Sequence, residues 1–589
     1  MAAPAGDWFK TRAIWIGFGL LLILIGVFLP TGWYDSLPKS RGQLPDPPMS
    51  GATLVRLCFG LEGVCLVLAG MLGGFQPYLP ERGCVRLPEP VPSLGNDLRH
   101  PMRFVACATA VAAVLRFHAI GSDLWLDEIT TVLDYEHVSP LHVVAAYVSS
   151  NNHLLNTLLI KAMIGVAGNV EWAIRLPAVL AGIACIPAQY YLARVALARR
   201  ESVLATLLLA LSYHHIFFSQ NARGYTGYLL WSLLGTALFL RAISKGSTRY
   251  WLCYILCMFL GIATMLYAAF VVMGHVLVFI VACAWLRHRS QPVLPLVKVA
   301  GISWAILGML SFHLYASSLP QAYVYMNTVY RTAGDGYSLL SLEYLNELKR
   351  GISAGLGNGA SFAAAVVLVV MGAGFLAFLR RHTLYCATLV APLVVTCAFV
   401  LSLGLIILPR SLLWGLPIAY IFATATGVTV GRWLWTRLSA GPWRRLAAQT
   451  PLVLTGLLML LSLWSLPAYY RTPKQANRQS LQWVLEHKQP GDILVMVFVA
   501  EWGARYYGPG LGLREDVDYQ RVRSLPKLED MERQNTGKTI WLLTTIDRGF
   551  RREYPELSGH IRERYDLRTT FPGTIGDGDI RVWSRVLSR

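Results

Sequence analysis

The chain has 589 residues, of which 55% are hydrophobic and only 14% are charged. A soluble protein would carry about 25% charged residues, so this composition excludes an ordinary soluble enzyme and indicates a polytopic membrane protein. The formal net charge is +19, but its basic residues flank apolar segments, which is the pattern of membrane loops and does not indicate nucleic-acid binding.

The N-terminus resembles a signal sequence. Lys10 and Arg12 precede an apolar run at 13–29, which is long enough to cross a bilayer. Pro30 and Trp33 follow this run where a cleaved signal peptide would have small residues. We therefore expect a retained signal anchor.

Hydropathy predicts thirteen membrane spans. Several contain Gly, Pro or Ser and are shorter than a perpendicular helix needs, which is expected where helices border a cavity. The predicted spans are 14–33, 53–75, 103–120, 172–193, 202–217, 224–243, 250–266, 268–286, 299–316, 353–379, 383–405, 411–431 and 450–468.

Basic residues occupy alternate loops between these spans, and this alternation predicts the orientation. Cytoplasmic loops carry the excess of Lys and Arg, so we expect the N-terminus in the cytoplasm and, after an odd number of spans, the tail outside. The prediction is a multi-pass protein of the cytoplasmic (inner) membrane with an extracytoplasmic or periplasmic tail. The basic clusters are Lys10/Arg12, Arg82/Arg86/Arg99/Arg103, Arg194/Arg199/Arg200, Arg241/Lys245/Arg249, Arg287/Arg289/Lys298, Arg380/Arg381 and Arg432/Arg437/Arg444/Arg445.

The first large outer loop contains an acidic pair, Asp127 and Glu128, at the head of a stretch, 121–171, that is otherwise poor in charge. Carboxylates beside a bilayer are costly, so they are candidates for a functional site. The structural alternative is that one of them caps the next helix, because a carboxylate suits a helix N-terminus.

The same loop contains two apolar segments, Leu141–Val148 and Thr157–Val166. We interpret them as helices that lie along the membrane surface and cover a cavity open to lipid and water. The polar residues Asn152 and His153 lie between the two segments.

Two arginines are predicted at helix ends on the same outer side. Arg223 ends the run Ser219-Gln220-Asn221-Ala222-Arg223, and Arg410 lies in Leu408-Pro409-Arg410. Such an arginine either snorkels to the interface or binds a phosphate or carboxylate. Another long outer loop carries aromatic and basic side chains that fit an aromatic belt as well as a sugar platform. These are Tyr323, Tyr325, Tyr330 and Arg331.

The histidines and cysteines show no metal-ligand spacing. His153, His214 and His215 are expected to have structural or hydrogen-bonding roles. Of the ten cysteines, most lie within apolar spans and none lies beyond Cys397, so core packing is the default interpretation. We expect no required cofactor, and the sequence leaves a divalent metal open.

The tail after about residue 471 changes character. Asp492–Ala500 and Thr539–Thr545 predict buried strands, and Gln479–His487 predicts a helix. This alternation is typical of a small α/β domain. Ile580–Val586 alternates in hydrophobicity and predicts an edge strand.

Several motifs follow one another in a familiar order. They are Trp125-Leu126-Asp127-Glu128, the Asn/His-rich segment, Glu171-x-x-x-Arg175-Leu176-Pro177, Ser219-Gln220-Asn221-Ala222-Arg223-Gly224-Tyr225 and Leu408-Pro409-Arg410-Ser411-Leu412. Together they resemble the GT-C membrane glycosyltransferases of the protein O-mannosyltransferase and lipid A aminoarabinose transferase superfamily.

The resemblance implies a mainly α, polytopic GT-C fold with surface helices in the first outer loop and a small C-terminal α/β domain. It divides the chain into two additional N-terminal helices with a cytoplasmic loop (1–102), a transmembrane catalytic core (103–470) and an extracytoplasmic domain (471–589).

The resemblance also implies roles for single residues. Asp127 becomes the candidate base, with Glu128 as its neighbour in substrate binding, and Arg223 and Arg410 become candidates for the donor phosphate. Residues expected to line the substrate cleft are Asn152, His153, Gln220, Tyr225, Tyr330 and Arg331.

One segment departs from the family pattern. Asn152-His153-Leu154-Leu155-Asn156 stands where related proteins often have His/Lys-Pro-Pro-Leu-Tyr, which argues against aminoarabinose transfer in particular.

The function implied is hexosyl or pentosyl transfer from a polyprenyl-phosphate donor to a hydroxyl of a lipid, protein or polysaccharide on the extracytoplasmic side, with inversion. Two alternatives stay open. A transporter or flippase would show related halves and polar residues at mid-membrane, and neither is evident in the sequence. The other is a glycan ligase or phosphotransferase of similar topology.

Overall fold

The computed structural model describes residues 5–35, 47, 49–71, 85–147, 149, 151–330, 337–354, 360–438 and 441–588. The described part is mainly helical. Its α-helices are α1 (Ala5–Phe28), α2 (Gly32–Asp35), α3 (Gly51–Met71), α4 (Pro101–Phe117), α5 (Leu126–Tyr135), α6 (Pro140–Ala145), α7 (Leu154–Ala167), α8 (Glu171–Ala193), α9 (Arg199–Ala210), α10 (Tyr213–Ser219), α11 (Tyr225–Lys245), α12 (Thr248–Thr264), α13 (Ala268–His288), α14 (Leu294–Ala316), α15 (Leu319–Tyr325), α16 (Leu342–Ile352), α17 (Ala360–Leu379), α18 (Thr383–Ser402), α19 (Gly415–Arg437), α20 (Pro442–Arg471), α21 (Asn477–His487), α22 (Ala500–Tyr507), α23 (Leu525–Gln534), α24 (Asp547–Glu553) and α25 (Pro555–Arg564).

Each predicted span overlaps at least one helix; 14–33 overlaps α1 and the start of α2, and 202–217 overlaps α9 and α10. Within the described residues, seven helices are long and apolar enough to cross a membrane, and an eighth span arises if α9 and α10, which meet at 57°, are counted together. Four shorter apolar stretches, in α1, α7, α12 and α17, add to these. The protein is therefore a multi-pass membrane protein, while the count of thirteen spans and their orientation stay predictions.

The bend between α9 and α10 is stabilised by Arg116 of α4, which is completely buried. A broken helix leaves carbonyl groups without intrahelical donors, and these must be satisfied inside an apolar region. Arg116 donates to the carbonyl oxygens of Ala210 (3.0 Å) and Leu209 (3.4 Å), and its Nη2 lies 2.6 Å from His215 Nδ1. The bend thereby carries α10 and the residues after it into the region of the outer loop.

The first outer loop forms three helices. Two were predicted, and they correspond to α6 and α7. The third, α5, begins directly before the acidic pair and buries Ile129 and Val132. Sequence reasoning missed it because the helix is short and its first turn is polar.

The tail contains a five-stranded sheet with the order β2-β1-β3-β5-β4. Strands β2, β1 and β3 are parallel, whereas β5 runs antiparallel to both β3 and β4. The predicted α/β character of the tail is confirmed. The strands are β1 (Ile493–Val497), β2 (Gln520–Val522), β3 (Thr539–Thr544), β4 (Asp566–Phe571) and β5 (Ile580–Val586).

The prediction of an edge strand at Ile580–Val586 was wrong. This strand, β5, lies between β3 and β4, and Val582 is completely buried. The true edge next to it is β4, whose residues are mostly exposed. Because β4 has only two apolar residues, Leu567 and Phe571, its sequence did not predict the strand that covers β5.

One apolar core joins the tail to the outer loop. Leu124 and Ile129 of the loop share a buried cluster with Val484 of α21, Met496 of β1 and Tyr507 of α22. The division of the chain at residue 471 stays a prediction, but the tail and the outer loop are packed as one unit.

The N-terminal helices also contact the region of the outer loop. Tyr34 OH donates to the carbonyl oxygen of Ser317, and Gln321 Nε2 donates to Tyr34 OH at 2.9 Å. The other end of Gln321 accepts a 2.7 Å hydrogen bond from the backbone N–H of Tyr147. A chain of polar contacts therefore runs from α2 through α15 to the segment after α6.

The predicted orientation can be tested by labelling the tail. A Gly559→Cys variant places a thiol on α25, where an added Cβ meets no neighbouring atom within 4 Å. We expect a membrane-impermeant maleimide to label it in intact cells of a host whose outer barrier admits the reagent. The unsubstituted chain, which has no tail cysteine, is the control. Labelling that requires permeabilisation of the cytoplasmic membrane would reverse the orientation.

Candidate functional site

The segment that precedes α5 is held by a buried ion pair between Glu128 and Arg175. Arg175 Nε donates to Glu128 Oε1 at 2.9 Å, and Nη2 donates to Oε2 at 2.7 Å, so the two planar groups pair side by side. The remaining donors of Arg175 bond the carbonyl oxygens of Ile120, Ser122 and Asp123. One side chain of α8 therefore fixes the whole loop before α5.

Glu128 has no exposed surface. Its carboxylate also accepts hydrogen bonds from the backbone N–H groups of Ala222 at 2.7 Å and Trp125 at 3.2 Å. Burial would raise the pKa of Glu128, but the charges of Arg175 and Lys474 and the hydrogen bonds from Arg175 and Ala222 lower it to about 2. Because it accepts from the backbone N–H of Trp125, Glu128 caps the N-terminus of α5, as the structural alternative from the sequence predicted for one of the two acids.

Lys474, at the start of the tail, extends this buried cluster. Its Nζ donates to the carbonyl oxygen of Gln220 and lies 4.0 Å from Glu128 Oε1. Burial lowers the pKa of Lys474 to about 7, and Arg175 adds to this effect while Glu128 opposes it. The Gln220 side chain is buried as well, bonding carbonyl groups near the end of α4 and accepting from Tyr469 OH at 2.8 Å.

Asp127 and Arg410 are brought together although they lie far apart in the chain. Arg410, in a 3-10 turn at Pro409–Leu412, places Nη2 3.4 Å from Asp127 Oδ2. Its guanidinium lies 5.9 Å from the ring centroid of Trp125. The Arg410 side chain is 35% exposed and the Asp127 side chain 13%, so this ion pair, unlike that of Glu128, can be reached from outside on the side of Arg410.

Arg223 lies in a buried network behind the ion pair. Its Nη1 donates to Thr131 Oγ1 and to the carbonyl oxygen of Asn151, and its Nη2 donates to Asn151 Oδ1. Thr131 Oγ1 in turn donates to the carbonyl oxygen of Asp127 at 2.8 Å. The terminal nitrogens of Arg223 are thus used inside the protein, and they tie α5 to the segment before α7.

His153 lies between Gly224 and Arg223. Its Nδ1 accepts a 2.7 Å hydrogen bond from Gly224 N–H, and its Nε2 lies 3.2 Å from Arg223 Nη2. Burial, followed by the charges of Arg223 and Arg410, holds the pKa of His153 well below its usual range, so the ring is neutral. With Nδ1 accepting from Gly224, the proton of the neutral ring is on Nε2, so neither nitrogen has a lone pair free for a metal ion.

The other predicted cleft residues have different placements. Asn152 Nδ2 donates to the carbonyl oxygen of Val143, while its Oδ1 is buried without a hydrogen bond. Tyr225 is buried, and its ring centroid lies 5.5 Å from that of His153. Tyr330 ends a π-helical turn at Met326–Tyr330, and Arg331 lies outside the described residues.

Sequence reasoning missed the partners that hold these groups. Thr131 and Asn151 bind Arg223, and Lys474 comes from a segment with no recognisable motif. Arg175 belongs to the motif Glu171-x-x-x-Arg175-Leu176-Pro177, but the sequence did not predict its partner. Its one usable signal was a lone arginine in the first turn of an apolar helix, where a buried charge requires an opposite charge nearby.

The site has the charge balance of an anion site. Within the described residues no group of three or more His, Cys, Asp or Glu side chains could hold a metal ion. Two carboxylates are instead surrounded by cations, which favours a negatively charged ligand. The acids are Asp127 and Glu128, and the cations are Arg175, Arg223, Arg410 and Lys474.

One protein-family model matches part of the chain. Residues 154–312 match the model of the dolichyl-phosphate-mannose-protein mannosyltransferase family, which confirms the predicted resemblance over these residues. The matched range contains Arg175, Gln220 and Arg223 but neither Asp127 nor Arg410. No curated protein sequence matches the chain.

Several solved structures resemble the chain, at sequence identities of 11–13%. The apo crystal structure of ArnT from Cupriavidus metallidurans is 12% identical with a TM-score of 0.47, covering 82% of this chain and 98% of that one. The structure of the same protein bound to undecaprenyl phosphate is 13% identical with a TM-score of 0.46, again covering 82% of this chain and 98% of that one. The third structure is the archaeal oligosaccharyltransferase AglB from Archaeoglobus fulgidus in complex with an inhibitory peptide and a dolichol-phosphate. It is 11% identical with a TM-score of 0.47, covering 82% of this chain and 74% of that one.

The Glu128–Arg175 pair predicts a loss of stability when Glu128 is neutralised. Glu128→Gln leaves Arg175 buried without a counter-charge, which should lower the free energy of unfolding by about 3–5 kcal/mol. The measurement is thermal unfolding of the purified protein, with the exposed Glu343→Gln as control. An unchanged melting temperature would contradict the role of the pair.

The same pair predicts the pH dependence of that difference. Because the pKa of Glu128 falls from 4.5 to about 2 on folding, the ionised carboxylate stabilises the protein fully above pH 4.5. This contribution is lost as the pH falls from 4.5 towards 2. The difference in stability between the unsubstituted protein and Glu128→Gln should therefore narrow in that window.

Proposed function

We propose that this protein is a membrane glycosyltransferase that moves a sugar from a polyprenyl phosphate to an acceptor hydroxyl at the extracytoplasmic face. The observation that carries the proposal is the accessible Asp127–Arg410 ion pair, backed by Arg223 and His153. The match of residues 154–312 to a family that uses a lipid-phosphate-linked sugar supports this class of donor.

The pair combines the two groups that the reaction needs. The acceptor oxygen attacks the anomeric carbon, and the bond from that carbon to the phosphate oxygen breaks with its electron pair leaving on the phosphate. Asp127 accepts the hydroxyl proton, and Arg410 stabilises the charge on the departing phosphate. A single displacement inverts the anomeric centre, by the same geometry as in inverting glycosidases.

Arg410 is the proposed phosphate contact because it combines charge with access. Its guanidinium is held by the largely buried carboxylate of Asp127 and lies over the ring of Trp125, and a bound phosphate can complement these contacts on the exposed side of Arg410. Arg223 contributes its positive charge from a buried position, since its terminal nitrogens already bond Asn151 and Thr131.

The remaining residues of the site have supporting roles in the proposal. Glu128 holds the loop through Arg175 and does not contact substrate, since it is fully buried. Asn152 Oδ1, a buried acceptor without a hydrogen bond, is positioned to accept one from a sugar hydroxyl after a small movement. His153 stays neutral and lies against the buried Arg223.

Replacement of the base should stop transfer without unfolding the protein. Asp127→Asn keeps the shape of the side chain but cannot accept a proton, so we expect a rate loss of about 10²–10⁴-fold. The measurement is mass spectrometry of lipids and glycans from cells that lack the gene and carry the unsubstituted or variant copy. Asp134→Asn, on the same helix, is the control, and near-normal turnover by Asp127→Asn would remove Asp127 as the base.

Replacement of Arg410 should act on the donor. Arg410→Ala removes a charge-assisted contact, so affinity for undecaprenyl phosphate in nanodiscs should fall by about 10- to 100-fold while acceptor use is unchanged. Arg471→Ala, which removes an exposed arginine at the end of α20, is the matched control. Unchanged affinity in Arg410→Ala would make Arg410 an interfacial anchor.

A further inference from the structure

The segment that links α20 to the tail sheet lies against the loop that carries Asp127. This segment, Pro473–Asn477, is called the strap below. Lys474, Gln475 and Asn477 are each at most 6% exposed, although the strap has no regular secondary structure before α21 begins. A buried irregular segment must find partners for its polar groups, and those of the strap lie in the loop.

The strap and α22 form hydrogen bonds with three backbone groups, two of Leu124 and one of Leu126. Gln475 Oε1 accepts from the backbone N–H of Leu126 at 2.7 Å, and Asn477 Nδ2 donates to the carbonyl oxygen of Leu124 at 2.9 Å. The N–H of Leu124 donates to Tyr507 OH at 2.7 Å. The tail thus holds the backbone on both sides of Trp125, immediately before Asp127.

The bond to Leu126 completes the N-terminus of α5. The first N–H groups of a helix have no partner within it, and a side chain at the N-cap position usually supplies one. The N-cap here is Trp125, whose side chain has no acceptor. Glu128 accepts from the N–H of Trp125, and Gln475, from the tail, accepts from the N–H of Leu126.

The tail also fixes Gln475 and the strap. Gln475 Nε2 donates to Thr545 Oγ1 at 3.0 Å, directly after β3. The turn between β4 and β5 closes over the strap, where Thr574 N–H donates to the carbonyl oxygen of Pro473. A Cβ at Gly573 or Gly578 would lie 2.6 Å or 2.5 Å from the carbonyl oxygen of Lys474, so this close approach requires glycine.

We infer that the tail is part of the catalytic apparatus, and that Gln475 and Tyr507 are positioning residues that hold Asp127 towards the reacting hydroxyl. This inference rests on the proposed function. Asp127 is the second residue of α5, so its direction depends on where the helix begins. Loss of the cap from the tail frees the first turn, and a misplacement of about 1 Å can reduce the rate by about 10²-fold.

The test uses Gln475→Met and Tyr507→Phe in the full-length protein in nanodiscs. Each removes one acceptor and keeps the size of the side chain. Tyr506→Phe is the matched control, because Tyr506 lies on the same helix and its hydroxyl donates at 2.6 Å to Asn169, away from the α5 N-terminus.

Three measurements distinguish positioning from general damage. Hydrogen exchange of the Leu124 and Leu126 amides should become at least about 10-fold faster, each in the variant that removes its acceptor. With a panel of hexosyl and pentosyl undecaprenyl phosphates, kcat should fall by about 10- to 100-fold. Affinity for undecaprenyl phosphate, which depends on Arg410, should stay the same. The control should change none of these.

The exchange measurement decides the inference even if no sugar donor is used. Unchanged exchange in both variants would overturn the cap from the tail. Faster exchange with kcat equal to that of the control would overturn the positioning role while leaving the proposed function intact. Absence of transfer in the unsubstituted protein would count against the proposed function, and with it against the positioning role.

Discussion

The buried pair of Glu128 and Arg175 is the constraint on which the rest of the site depends. Two charges without exposed surface are tolerated only if each satisfies the other and all remaining donors and acceptors are bonded. Arg175 meets this condition by binding three carbonyl groups of the loop, and Glu128 by binding the N–H groups of Trp125 and Ala222. The loop of Asp127 and the segment of Arg223 are therefore locked to one helix.

This arrangement separates support from chemistry within one acidic pair. Adjacent positions of a helix point about 100° apart, so Asp127 and Glu128 face different surroundings. Glu128 faces inwards to Arg175, whereas Asp127 faces Arg410 and remains partly exposed. The same division holds for the arginines, since Arg175 and Arg223 are used internally and Arg410 is not enclosed.

The fold was more predictable from the sequence than the site. Long apolar stretches have one compatible structure in a membrane, which is why every predicted span overlaps a helix. The proximity of Asp127 and Arg410 followed from the motif order and the alternation of basic loops. Gln475 and Lys474 could not be found in this way, because a polar residue in an irregular segment carries no period or spacing. The position of β5 was predicted wrongly for a related reason, because the neighbouring strand β4 has only two apolar residues and was not recognised.

The cap from the tail has a consequence for how the protein matures. Gln475, Tyr507 and the turn at Gly573–Gly578 leave the ribosome long after the loop that they hold. A nascent chain whose membrane helices have just been inserted still lacks Gln475, which accepts from Leu126 N–H, and the turn between β4 and β5 that lies over the strap. If the tail positions Asp127 as we infer, the site is completed only when the last strands have folded, and chains that lack them stay inert.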